Sequence, residues 1–170
     1  NIELVTSNAW LDLIKEGFDV ALRAGPLQDS SLIARELVTA HRYLMASPDY
    51  LARHGTPQSL QALMSHQCLV SKYSANWQFV SAKGLRTVTP IKTVEANDLT
   101  LLKQLALKGA GIAIIHDSQL EDEIETGQLI MLPACFTLPP RNLSLVYPSR
   151  ELQSVNLRRF IEVMLEVYES

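Results

Sequence analysis

Three predicted helix starts offer the clearest chemistry in this sequence, because each directly follows a predicted strand: Ser7-Asn8, Ser47-Pro48 and Asn97-Asp98. Free backbone N–H groups at a helix start can hold an anion. In open α/β sheets such starts gather at the carboxyl ends of the strands, where ligands bind. The alternative is that each cap only stabilises its own helix, by about 1 kcal/mol. We favour that alternative for any single cap and a binding site for the set.

Cysteine, histidine and carboxylate residues give weaker signals. Cys68 and Cys135 are far apart and lack metal-ligand spacing, and the histidines are scattered, so we expect no metal and no cofactor. We interpret the cysteines as small apolar residues in a reducing compartment rather than as a regulatory thiol pair. A solvated helix face, rather than a pair of catalytic carboxylates, is the expected role of Glu121, Asp122, Glu123 and Glu125.

No nucleotide-binding or hydrolase motif occurs in the sequence, and no nucleophile has an obvious base. Gly109-Ala110-Gly111 lies between a predicted helix and a strand, which is the reverse of the order in a dinucleotide loop. It predicts a helix stop with close packing. The residues therefore argue against an enzyme.

The 170 residues, 47% of them hydrophobic, are enough to bury a substantial core. A net charge of −3 excludes a generally basic nucleic-acid binder, and no run of eighteen apolar residues predicts a membrane span. The chain opens within a predicted strand, without an initiator methionine or a signal peptide. We therefore expect a fragment of a longer protein.

Strands and helices alternate along the sequence, which predicts an α/β fold. A helix capped by Asn8 and ended by Gly17 separates strands over 2–6 and 18–23, a pattern that predicts parallel strands. Residues 31–47 contain no Gly or Pro, and we favour two strands joined by a crossing segment over one helix. Further strands are predicted over 68–70, 77–80, 85–94, 112–115, 129–132 and 143–147, with helices over 48–54, 57–65, 99–108, 118–127 and from Ser154 onward.

Irregular connections around 37–46 and 133–143 suggest two lobes joined by two crossing segments, with the middle of the chain forming one lobe. Ordered motifs across the chain resemble the effector-binding domain of LysR-type transcriptional regulators: FDVALRAG from Phe18, DSSLIAR from Asp29, ASPDYLARHG from Ala46, KGAGIAII from Lys108 and LVYPSR from Leu145.

This resemblance implies a two-lobe, type 2 periplasmic-binding-protein-like fold, in which each lobe is a mixed, mostly parallel sheet flanked by helices. Lobe I would comprise 1–40 plus 138–170, and lobe II would comprise 41–137. The family's N-terminal winged helix-turn-helix is absent from this chain, as are the first strand and helix of lobe I. A cytoplasmic location follows from the resemblance.

The resemblance also implies effector-binding positions in the cleft between the lobes. They are Ser7, Asn8, Arg23, Ser47, Tyr73, Ser74, Trp77, Asn97, Asp98 and His116. His116 stands where the family usually has proline, so it either tunes ligand choice or pH response or is a solvent-exposed substitution. We expect Trp77→Ala and Asn97→Ala to weaken effector binding without unfolding the domain.

The implied function is binding without turnover. A small anionic metabolite in the cleft would favour one conformation of a homodimer or homotetramer. The assembly would transmit this conformational preference to the absent DNA-binding domain. The alternative is a solute-binding protein of a transporter, and an enzyme on the same fold ranks third.

Overall fold

The computed structural model describes residues 2–7, 11–25, 31–148 and 154–169. The chain divides into two compact units, Asn1–Ala40 with Pro140–Ser170 and His41–Pro139. No helix within the described ranges is long and apolar enough to cross a lipid bilayer. The elements, in chain order, are α1 (Leu13–Glu16), β1 (Ala21–Ala24), β2 (Ile33–Ala40), β3 (Arg42–Ala46), α2 (Pro48–His54), α3 (Leu60–Leu63), β4 (Cys68–Ser71), β5 (Trp77–Ser81), β6 (Gly84–Val88), β7 (Lys92–Ala96), α4 (Leu99–Leu107), β8 (Ile112–His116), β9 (Ile130–Met131), β10 (Arg141–Tyr147) and α5 (Val155–Glu169).

The first unit contains a sheet in the order β1-β10-β2, with α5 packed against it. Apolar residues three and four apart along α5 form one stripe, so that Leu157, Ile161 and Leu165 pack with Leu145 and Tyr147 of β10. The Leu157 N–H donates to Ser154 Oγ at 3.2 Å, which confirms the predicted cap of this last helix.

The start of the first unit differs from its prediction. Residues 2–7 form no strand, and α1 begins after Asp12, whose carboxylate accepts the N–H groups of Ile14 and Lys15. Asn8 lies outside the described residues. The expectation of mostly parallel pairing is wrong here, because β10 returns from the far end of the chain and pairs antiparallel with both β1 and β2.

The second unit is built on a five-stranded mixed sheet in the order β7-β4-β8-β3-β9, beside a hairpin of β5 and β6. Strand β4 is parallel to both β7 and β8, whereas β3 is antiparallel to β8 and β9. The continuous strand predicted over 85–94 is divided between β6 and β7. Pro90 lies in the break, and it has no N–H to donate to a sheet.

Period-two alternation sorts the apolar side chains of this sheet onto two faces. Met45 and Leu69 pack with α4 on one face, whereas Leu44 and Val70 pack with α2, α3 and β5 on the other. Both faces are therefore covered, as expected for strands that read as continuous apolar runs.

Two predictions about neighbouring segments had different outcomes. The preference for two strands over 31–47 is confirmed, since β2 and β3 are separated by His41 alone. The helix predicted over 57–65 is shorter and begins later, because Ser59 rather than Thr56 caps α3 through the N–H of Ala62.

Candidate functional site

The ends of the parallel strands β4, β7 and β8 meet at one edge of the second unit's sheet. We call residues 71–74, 96–98 and 116–117 the carboxyl edge. Ser71 is the register partner of Ala96, and the Lys72 N–H donates to the Ala96 carbonyl at 2.8 Å. The chain segments that leave β4 and β7 are therefore held side by side.

Tyr73 and Ser74 lie in the turn that follows β4. The Ser74 N–H donates to the Ser71 carbonyl at 2.9 Å, which fixes the turn, and the Tyr73 side chain is 49% exposed. Ser74 is half-buried. This turn therefore places two hydroxyl groups at the carboxyl edge, one of them open to solvent.

Asn97 and Asp98 lie where β7 passes into α4. The Asp98 carboxylate accepts the N–H groups of Thr100 at 2.8 Å and Leu101 at 3.2 Å, so it is the N-cap of α4. These two N–H groups are therefore occupied by the protein itself. Since Asp98 carries negative charge, the first turn of α4 is a poor anion site, and the exposed Asn97 amide is the more suitable ligand contact.

Strand β8 ends at His116, and Asp117 follows it at the same edge. Asp117 Oδ2 accepts the His41 N–H at 2.7 Å, and the Asp117 N–H donates to the His41 carbonyl at 3.0 Å. The half-buried His116 pairs with Arg42 in the sheet register. The edge is thus tied to the residue that separates β2 from β3.

Ser47 lies at the opposite edge of the same sheet, which we call the amino edge. Strand β3 is antiparallel to β8, so the residue after β3 lies where β8 begins. Ser47 is 3% exposed, and its Oγ accepts the Tyr50 N–H at 3.2 Å. The structure therefore separates Ser47 from the other second-unit residues of the predicted site.

A depression of about 350 Å³ opens at the amino edge. Its lining residues come from α2, α4 and the turn before β9: Ser47, Pro48, Asp49, Gln104, Leu107, Lys108, Gly127 and Gln128. None of the carboxyl-edge residues is among them.

Trp77 is a core residue. It is 2% exposed and packs in the cluster that includes Phe79 and Phe136. In contrast to the expectation from the sequence, we therefore expect Trp77→Ala to destabilise the domain, because the truncation would empty a large volume in a close-packed core.

Two of the predicted site residues that the structure describes belong to the first unit. Arg23 lies on β1, and its guanidinium donates to the Leu11 carbonyl. This contact holds the segment before α1 against the strand. Ser7 is exposed.

Sequence reasoning missed a buried ion pair between Lys103 of α4 and Glu123. Lys103 Nζ also donates to the Gln119 carbonyl at 2.5 Å, and Glu123 Oε2 accepts the Glu121 N–H at 2.8 Å. The hydrogen bond from Lys103, followed by that from the Glu121 N–H, lowers the pKa of Glu123. A lysine beside Leu102 and Ala106 on the buried face of α4 was the available signal.

The helix predicted over 118–127 is wrong. A 3₁₀ turn spans Asp117–Gln119, and turns follow it. Carboxylates of Asp117 and Glu123 accept the backbone N–H groups of Ser118 and Glu121, which competes with a helical hydrogen-bond ladder. Of the four acidic residues assigned to a solvated face, Glu123 is buried.

The helix stop predicted at Gly109-Ala110-Gly111 is confirmed. Gly109 has a φ of +74° directly after the α4 C-cap, a backbone conformation that favours glycine. A Cβ at Gly111 would lie 2.5 Å from the Gln67 carbonyl oxygen, so β8 approaches the chain before β4 too closely for a side chain. Within the described ranges, no three His, Cys, Asp or Glu side chains form a metal-binding group.

Comparisons with known proteins agree with this architecture. The family model for the LysR substrate binding domain matches residues 1–169. The HTH-type transcriptional regulator CrgA of Neisseria meningitidis serogroup C (strain 8013) is 38% identical, over 97% of this chain and 56% of its own length.

Solved structures give the same result. The CrgA regulatory domain has a TM-score of 0.80 at 35% identity, covering 95% of this chain and 81% of its own. The full-length Vibrio cholerae virulence activator AphB, a member of the LTTR protein family, has a TM-score of 0.85 at 29% identity, covering 98% of this chain and 57% of its own. The α/β class and the type 2 periplasmic-binding-protein-like fold are thus confirmed. The chain spans slightly more than half the length of the CrgA sequence it matches.

Proposed function

Since this chain belongs to the LysR substrate binding domain family, we propose that it is the effector-sensing part of a DNA-binding transcriptional regulator. The names of the curated relatives, HTH-type transcriptional regulators such as CrgA and DmlR, support this function and not the transporter alternative. In this proposal the whole protein contacts DNA through an N-terminal winged helix-turn-helix outside this chain, and it acts in the cytoplasm.

The effector is a small anionic metabolite, and the second unit contacts it at the carboxyl edge. The observation that carries this proposal is the convergence of Tyr73, Ser74, Asn97 and His116 at the ends of three parallel strands. Hydroxyl, amide and imidazole groups can donate hydrogen bonds to a carboxylate. Asp98 opposes an anion, but its carboxylate already accepts two N–H groups of α4.

Ligand binding changes an equilibrium and involves no turnover. An effector that binds one conformation more tightly shifts the population toward it, and by linkage the shift changes DNA affinity. The proposal includes a homodimer or homotetramer as the assembly that transmits this shift in population. The match to the family of LysR-type regulators supports this part of the proposal.

A thermal-shift screen against small carboxylates, aromatic acids and amino acids tests the proposal. A ligand present at 100 times its Kd should stabilise the chain by about 2.7 kcal/mol, a shift of several degrees. The shift should disappear in Asn97→Ala and persist in Ser47→Ala, which alters the amino edge only. A hit that is chemically converted on incubation, or that both variants retain, would contradict the proposal.

A further inference from the structure

A buried tyrosine hydroxyl links two segments of the second unit beside two histidines. Tyr50 of α2 is fully buried, and its hydroxyl accepts the Gln67 N–H at 2.9 Å. The same hydroxyl lies 3.0 Å from Nδ1 of His66. The ring of His54 stacks on the Tyr50 ring with centroids 4.5 Å apart. This network joins α2 to the turn that leads into β4.

The hydrogen-bond pattern favours one protonation state of His66. A phenol has one hydrogen to donate, and the Gln67 N–H already uses the Tyr50 oxygen as an acceptor. His66 Nδ1 is an acceptor within reach of the hydroxyl hydrogen, and it accepts that hydrogen only when it is unprotonated. The neutral imidazole then carries its own hydrogen on Nε2.

Adding a proton to Nδ1 reverses the roles in this bond. His66 becomes a donor toward Tyr50, so the hydroxyl hydrogen loses its acceptor inside a buried cluster, which is costly. The groups that face the pair are Arg53 and His54 from α2 and Cys68 from β4. A second positive charge on His54 would add repulsion.

We propose that Tyr50, His66 and Gln67 form a proton-sensitive lock, which holds α2 against the entry to β4 at neutral pH and loosens when His66 is protonated. The lock does not depend on the effector site, since none of its residues lies at the carboxyl edge. Burial, with a smaller contribution from His54, lowers the pKa of His66, in agreement with a network built around the neutral imidazole.

Proton and nitrogen NMR of the chain between pH 7.5 and 5 tests the lock in the wild-type protein. His66 should titrate below its ordinary value, and the Gln67 amide resonance should move with the same midpoint, because its acceptor changes partner. The exposed His41, which contacts Asp117 at the carboxyl edge, supplies an internal reference. A Gln67 amide that stays unchanged while His66 titrates would overturn the proposal.

A variant gives an independent readout. In His66→Asn, the side-chain oxygen can accept the Tyr50 hydrogen, but it does not titrate in this range. Wild type should lose several degrees of melting temperature between pH 7.5 and 5.5, and His66→Asn should lose markedly less, whereas the control His41→Asn should follow wild type. Equal losses in wild type and His66→Asn would also overturn the proposal. If His66→Asn does not fold, the Gln67 titration decides.

Discussion

The two edges of the second unit's sheet carry similar residue types and use them differently. At the amino edge, Ser47 is buried and caps α2, while Arg53 donates to the Gly109 carbonyl at 2.9 Å. At the carboxyl edge, Tyr73 and Asn97 remain exposed. A serine before a helix therefore does not mark a ligand site by itself. The direction of the strand before it decides which edge the residue reaches.

The largest difference in stability should be found between variants of two residues that are close in sequence, one in the core and one at the carboxyl edge. Trp77→Ala should lower the free energy of unfolding by about 3–5 kcal/mol, because it leaves a cavity in the core. Tyr73→Ala should change it by no more than about 0.5 kcal/mol. Urea unfolding of both variants measures the difference. Similar losses would mean that Tyr73 is also a structural residue.

The second-largest loss of stability should come from breaking the buried ion pair between Lys103 and Glu123. Glu123→Gln leaves the Lys103 charge buried without its anion, so we expect a loss of about 3–5 kcal/mol. The double variant Lys103→Met/Glu123→Leu removes both charges, and chemical denaturation should find it closer to wild type than the single variant. A single variant as stable as wild type would show that the pair does not hold the 117–129 segment.

The same pair predicts a pH dependence. The pKa of Glu123 is lowered from its ordinary value of 4.5, so folding favours the ionised form. This contribution is complete above that ordinary value and is lost as pH falls through the folded-state pKa. Between pH 6 and 3, wild type should therefore lose more stability than Glu123→Gln. Parallel pH profiles from thermal melts would contradict this assignment.

The variants with the smallest effects on stability allow a direct comparison of the two edges. Ser47→Ala should cost about 1 kcal/mol through loss of the cap. Asn97→Ala should change stability by less than about 0.5 kcal/mol. Calorimetry with an effector should show the reverse order, with affinity lost in Asn97→Ala alone. Loss of affinity in Ser47→Ala with Asn97→Ala unaffected would move the site to the amino edge.

Local sequence patterns predicted the features that depend only on residues close together in the chain. The Asp98 cap, the Gly109 stop and the apolar stripe of α5 depend on neighbours in sequence, and the structure contains all three. Long-range partners were not predictable in the same way. The antiparallel placement of β10 and the pairing of Lys103 with Glu123 depend on contacts that no local pattern encodes.

At the candidate site, too, local sequence predicted some features, whereas others depend on long-range contacts. Helix starts at Ser47 and Asn97 look alike in sequence, and only the antiparallel direction of β3 sends Ser47 to the other edge. Trp77 follows the exposed turn at 73–74, and alternation along β5 turns its side chain into the core.

Amide chemical-shift mapping with an effector from the screen tests the central claim most directly. We predict that the largest shifts fall at residues 72–74, 97–98 and 116–117, while residues 47–49, 104–108 and 127–128 change little. Shifts confined to the second group would contradict the account and place the ligand in the depression at the amino edge.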